Sequence, residues 1–205
     1  MRGILALGLV WCLFAPAPSR AQSEWRTFSS PEGFAFKYPD SFVQCVRDPH
    51  QPTNWEPDSC DAATPVCSDV TCSSDHTLAC VAYSLGQNTA GTNLEAAAFS
   101  VNQPEDSNTE NKCLNVPEPP PHVGVPRAET INGVKFKVTE IDGVGTGHVL
   151  DGYVYRTFHR GRCYELGLRI AFNNLPTDDI TGSRQFDLEQ VRRDLKKVAS
   201  SFKFR

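Results

Sequence analysis

Seven cysteines, Cys45, Cys60, Cys67, Cys72, Cys80, Cys113 and Cys163, follow an eighth, Cys12, that sits in an apolar run at the head of the chain. Thiols can pair as disulfides, hold a soft metal, attack a substrate as thiolates or link two chains. Spacing sorts these. A zinc site drawn from Cys60, Cys67, Cys72 and His76 wants tetrahedral ligands presented from tight Cys-x-x-Cys turns, and no such turn occurs here. All seven are therefore expected as disulfide candidates, with no metal and no other cofactor. Their number is odd, so one stays unpaired or joins a second copy in a disulfide-linked dimer, and the connectivity is left open.

A nucleophilic cysteine needs a base within hydrogen-bond reach, which makes Cys163 and His159 the one thiol–imidazole candidate. Register decides it. A three-residue loop at Arg160-Gly161-Arg162 would set His159 opposite Cys163 but turn Tyr153 and Tyr155 away from Leu166 and Leu168. A two-residue loop keeps those aromatic–aliphatic pairs, worth about 0.2–1 kcal/mol each, and sends His159 to the other face. The second register is favoured. Asp142-Gly-Val-Gly-Thr-Gly-His148 has the glycines of a phosphate-cradling loop, but a strand follows where a helix is required. His50, His122 and His148 read as surface histidines, and Asp178-Asp179 as a solvated turn too poor in oxygens for calcium. Arg156, Arg160, Arg162 and Arg169 surround one hairpin and read as a solvated face balanced by Asp151 and Glu165. No catalytic and no cofactor-binding residue is assigned, and the protein is not expected to be an enzyme.

The address agrees with the cysteines. Met1-Arg2, the apolar run Ile4 to Phe14 and the small-residue site Ser19-Arg20-Ala21 read as a cleaved signal peptide over residues 1–21, too short for a membrane span. Cys12 leaves with it, and no lipid anchor is implied. The expected location is outside the cytosol, periplasmic or extracellular. Without Arg2 and Arg20 the 20 basic residues fall to 18 against 24 acidic ones, a charge of −6 with no basic block. Nucleic acid and anionic membrane are poor partners for such a chain. The remaining residues, 22–205, suit a single domain.

These residues must be positioned by elements whose patterns can be read. Phe34-Ala35-Phe36-Lys37-Tyr38 alternates as a half-buried strand after a Ser-Ser-Pro-Glu-Gly turn. A cysteine-rich excursion at about 45–80, rich in Pro, Asp, Ser and Thr, reads as a stapled loop stabilised by about 2–4 kcal/mol per bridge. Thr92-x-x-Glu95 could cap a helix over Ala96 to Val101, but Phe99 and Val101 share a face and favour a strand. The proline-rich connector at 115–126 divides the chain into halves. Asn132-Gly133 then precedes an alternating strand with Val134, Phe136 and Val138 on one face and Lys135 and Lys137 on the other. Gly143, Gly145 and Gly147 break the next stretch. Val149 to His159 and Cys163 to Phe172 form a hairpin whose core face is Tyr164, Leu166, Leu168, Ile170 and Phe172. Asp187 caps a terminal helix with Leu188, Val191, Leu195, Val198 and Ala199 inward and Arg192, Arg193, Lys196 and Lys197 on its outer face and last turns. Ser201 to Phe204 reads as a closing strand.

Three of these patches, Gly33-Phe34-Ala35-Phe36-Lys37-Tyr38-Pro39, Asn132-Gly133 before a strand, and the terminal helix ending Ser200-Ser201-Phe202, resemble the PsbP-like domain family. The resemblance implies an α+β fold, an antiparallel sheet sandwiched between helices, here with the cysteine-rich loop inserted. It transfers no functional residue, because its motifs concern packing. The function expected is an exported, disulfide-stabilised, non-enzymatic binding or accessory domain for an unknown protein or envelope component. The alternative is a cell-envelope enzyme or redox protein that uses an unpaired cysteine.

Overall fold

The structure is a computed structural model that describes residues 24–47, 55–57, 72, 76–84, 91–105, 107–117, 122–174 and 184–205. The leader, His50, Cys60, Cys67, Asp178 and Asp179 lie outside these residues. In chain order the elements are β1 (Trp25–Ser29), β2 (Phe34–Pro39), β3 (Phe42–Arg47), β4 (Trp55–Pro57), β5 (Thr77–Tyr83) and β6 (Leu94–Asn102). There follow α1 (Glu110–Leu114), β7 (His122–Val123), β8 (Arg127–Ile131), β9 (Val134–Gly145), β10 (His148–His159), β11 (Arg162–Asn173), α2 (Leu188–Ser200) and β12 (Lys203–Phe204).

All pairing between these strands is antiparallel. A small sheet has the order β1-β2-β12, and a large one runs β4-β3-β5-β6-β11-β10-β9-β7, with β8 also on β9. Because β11 pairs with β6, the two halves of the chain meet in one sheet, with β3–β6 on one side of that junction and β7 and β9–β11 on the other. The three long hairpins turn on two residues each, Asn132-Gly133, Thr146-Gly147 and Arg160-Gly161, and every one of these residues has positive φ. That is the turn whose twist matches paired strands. Asn132 and the glycines take it at little steric cost, whereas Thr146, β-branched at φ 47°, is strained.

One face of the large sheet carries the core. Phe99 and Val101 from β6, Tyr164, Leu166, Leu168 and Ile170 from β11, and Phe136 and Val138 from β9 are buried against the small sheet and α2. Aromatic rings bridge the two sheets: Phe36 meets Phe99 edge-on at 4.9 Å, and Phe34 meets Tyr164 edge-on at 6.3 Å. Such pairs contribute about 0.5–1.5 kcal/mol each beyond the area they bury. Asp187 caps α2 by accepting from the Gln190 amide, and Val191, Leu195, Val198 and Ala199 face inward as their spacing requires.

The opposite face of the sheet is small or polar. Ala82, Ala98, Ser100 and Gly167 leave room there for Asn102, Arg156 and Glu165, all of which are buried.

The sandwich of a sheet between helical layers is not what forms. Strand makes up 58% of the described residues and helix 14%, in two helices, so the fold is mostly β with two antiparallel sheets. The inner face is shared by α2 and a second sheet, and the outer face carries the five-residue α1. The Ala96 to Val101 segment is a strand, as the shared face of Phe99 and Val101 requires. The difference arises where the N-terminal Phe34–Pro39 segment pairs on both sides, with β1 and β12, and so becomes a sheet of its own. Thr92 caps no helix and makes a bridge to Arg184. Gly143 and Gly145 belong to β9 and do not break it.

Candidate binding cleft

The pairing of β9 with β10 stops at Arg156↔Lys137. Beyond that point the Thr157 hydroxyl donates to the Lys135 carbonyl at 3.0 Å, and a cleft of about 640 Å³ opens at this end of the sheet. Pro126, Ala128, Val134, Phe136, Leu114 and Phe158 give it apolar walls. Arg127, Lys135, Lys137, Glu110 and His159 stand around them. Arg127 is paired with Glu129 at 3.9 Å and lies over the Tyr153 ring, so Lys135 and Lys137 against Glu110 make the rim positive.

One wall is α1, and its position is a covalent matter. Five residues are far too few for a helix to hold itself together. Thr109 caps it by accepting from the Lys112 amide, Cys113 is bonded to Cys163 with their Cα atoms 5.4 Å apart, and the Lys137 ammonium donates to the Leu114 carbonyl at 2.6 Å. The disulfide thus fixes a helix over the end of β10, and Lys137 ties the helix to β9.

His159 closes the other side. Its ring stacks on Phe204, with centroids 3.8 Å apart, and its Nε2 is buried with no hydrogen-bond partner. Burial and the adjacent Arg160 cation both push its pKa below the ordinary histidine value, so the ring is neutral at pH 7. A neutral imidazole whose nitrogen lacks a partner is a hydrogen-bonding group still to be satisfied. Tyr155, by contrast, is buried near Glu129 and pushed up to about 12, so its phenol offers no base at physiological pH.

The thiol–imidazole pair does not assemble. The turn is the two-residue Arg160-Gly161, with His159 opposite Arg162 and Phe158 opposite Cys163. His159 therefore faces Phe204 while Cys163 faces α1, and the sulfur of Cys163 is held by Cys113. Cys72 is bonded to Cys80, and Cys45 is likewise in a disulfide. These bridges replace the zinc set that included Cys72 and His76. His76 instead meets Glu105 at 3.0 Å.

The arginines do not form one solvated face. Arg156 sends Nε and a terminal nitrogen to Glu165 at 3.0 and 2.8 Å, with both side chains under 10% exposed. Arg169 lies 3.8 Å from the same carboxylate. Asn102 also donates to Glu165, at 3.1 Å, and accepts from the Thr77 hydroxyl at 2.7 Å. Arg162 pairs with Glu32 at the turn, and Arg160 reaches the Arg205 carbonyl. Asp151 belongs to the other face, where Arg192 of α2 grips it with two nitrogens and Lys196 stands over the Tyr153 ring at 4.2 Å. Those two cations of α2 are thus turned to the sheet and not to the solvent side.

Two further clefts are already satisfied internally. In one, about 550 Å³ beside His76, Ser107 donates to the Pro104 and Glu105 carbonyls and Arg162 is engaged by Glu32. The other, about 530 Å³ at the tip of β9 and β10, contains His148, which Glu95 holds at 2.8 and 3.0 Å. The glycine-rich Asp142 to His148 segment around this second cleft is the end of β9 and the two-residue turn into β10, with no helix after it. Lys135 and Lys137 could be read from the sequence as an outward row. What makes them a rim is α1, whose place depends on a bridge between cysteines 50 residues apart. Among the described residues no helix is long and apolar enough to cross a membrane. No protein-family model matches the chain, and no curated protein matches it significantly.

Proposed function

We propose that the protein is an exported, non-enzymatic binding or accessory domain whose cleft between α1, β8, β9 and the end of β10 takes an amphipathic anion, an apolar body with an acidic head. The cleft supports this reading: its apolar walls stand on strands and on a disulfide-anchored helix, and its rim carries Lys135 and Lys137 against Glu110. Preformed walls reduce the ordering cost of binding. The disulfides fit an oxidising compartment, and export by the segment at residues 1–21 is part of the proposal.

The relationship to PsbP-like domains is proposed as well, at the level of packing alone. It rests on the three quoted patches, which meet around Phe202, and it carries no activity.

An anionic aromatic dye, 8-anilinonaphthalene-1-sulfonate, probes the cleft directly. The expected result is saturable binding with enhanced fluorescence, weakened about tenfold by Lys135→Glu through reversal of one rim charge. Ala128→Trp, at an exposed position, should fill the cleft and remove the signal. Absence of saturable binding in the parent protein overturns the reading, as does equal binding by both variants when near-ultraviolet circular dichroism shows them folded.

A further inference from the structure

Cys45, Cys72 and Cys80 bring their sulfur atoms within 4.8 Å of one another on the outer face of the large sheet. All three are buried, at 4%, 0% and 1% exposure, among Val43, Ala82 and Ala98. Two of them can reach Cys80. Cys72 is bonded to it with the Cα atoms 5.6 Å apart. Cys45, in β3, is the residue directly opposite Cys80 in β5. Directly opposed strand residues have Cα separations of about 4.5–5.5 Å, within the span a disulfide bridges.

We propose that this trio is a buried thiol–disulfide exchange site, in which Cys45 can take the place of Cys72 in the bridge to Cys80. In the resting protein Cys45 is itself disulfide-bonded, so its own sulfur is not free to attack. A dithiol reductant supplies one: it gives two electrons and two protons to the Cys45 bridge and is itself oxidised to a disulfide. Cys45 then loses its proton, and its sulfur attacks the sulfur of Cys80. The Cys45–Cys80 bond forms as the Cys72–Cys80 bond breaks. Cys72 leaves as a thiolate and takes up a proton, so this second step is an exchange without net redox change. Proximity favours this route, because the Cys45 sulfur, once reduced, already lies within 4.8 Å of the Cys80 sulfur.

The new bridge would join β3 to β5 and detach Cys72 from β5. Cys72 would then be held by the Thr77 hydroxyl, which donates to its carbonyl at 3.0 Å. Thr77 also leads into the Asn102–Glu165–Arg156 chain of hydrogen bonds.

The experiment is limited reduction of the folded protein with substoichiometric dithiothreitol, an acid quench, alkylation with N-ethylmaleimide and peptide mapping. Pepsin is the protease needed, since no Lys or Arg lies between Arg47 and Lys112. The expected species is a Cys45–Cys80 crosslinked peptide with Cys72 alkylated alone, rising and then decaying as reduction proceeds. In Cys45→Ser this species is absent, and the Cys72–Cys80 bridge opens about tenfold more slowly. Alkylation of Cys72 and Cys80 only together in the parent protein, with no Cys45–Cys80 crosslink, overturns the proposal whether or not the variant folds.

Discussion

The side-chain amide of Asn132 donates to the Phe202 carbonyl at 2.7 Å and to the Ser200 carbonyl at 3.0 Å, joining a hairpin turn to the end of a helix some 70 residues later. The same residue sits at φ 47° as the first turn residue between β8 and β9. It thus satisfies two carbonyls at the end of α2 while shaping the turn, and the ring of Phe202 packs on Phe34 and Phe136 beside it. Replacement by Gly keeps the turn and loses the bonds, at an expected cost of about 1–2 kcal/mol. Asn132→Ala adds the strain of positive φ and should cost about 1 kcal/mol more. Urea denaturation of the two variants beside the parent checks both the sign and the order.

Gly152 lies where β10 presses on β11. A Cβ atom there would stand 1.9 Å from the Leu168 carbonyl oxygen, whereas one at Gly167 would meet the Ser100 hydroxyl at 2.7 Å. Backbone cannot yield as a hydroxyl rotor can. Gly152→Ala is therefore expected to destabilise by about 3 kcal/mol or more and Gly167→Ala by about 1–3 kcal/mol, as read from thermal melts.

Removing the bridge between Cys113 and Cys163 frees α1. For a loop of 50 residues the chain-entropy estimate is about 4 kcal/mol. The double variant Cys113→Ser/Cys163→Ser should show that loss in denaturation. It should also lose dye binding under conditions where it is still folded, because the wall of the cleft goes with the helix.

Glu165 is buried between Arg156 and Arg169. Glu165→Gln leaves the Arg156 guanidinium with its bond to the Val116 carbonyl but without its carboxylate. Breaking such a pair on one side costs about 3–5 kcal/mol, while replacing both members by apolar groups is often close to neutral. Arg156→Met/Glu165→Leu is expected to be more stable than Glu165→Gln, a comparison that chemical denaturation settles.

His159 gives stability a dependence on pH. Its folded pKa lies below the unfolded value of about 6.5, so on acidification the unfolded chain takes up this proton first. The contribution is complete above about pH 6.5 and is lost as pH falls through that value toward the folded pKa. His159→Phe, which preserves a ring over Phe204, should flatten that part of the stability profile between about pH 7 and 5. An unchanged slope would show that other groups set it.

The sequence by itself determined the local elements that a single pattern could specify. Asp187 and the spacing of Val191, Leu195 and Val198 define α2. The alternation of Tyr164, Leu166, Leu168 and Ile170 defines β11, and the Tyr–Leu pairs set a two-residue turn at Arg160-Gly161. Each rests on contacts within about a dozen residues of one another, where periodicity leaves few alternatives. Tertiary structure alone decided which faces were covered, and by what. The Ala96 to Val101 segment reads as a strand from Phe99 and Val101, but its place between β5 and β11 is set by the pairing itself. Arg156 and Arg169 look solvated until Glu165 is enclosed with them. Lys135 and Lys137 look like an ordinary outward row until a bridge from Cys163 sets α1 beside them. These outcomes depend on pairings between residues far apart in the chain, about which residue type and local spacing carry no information.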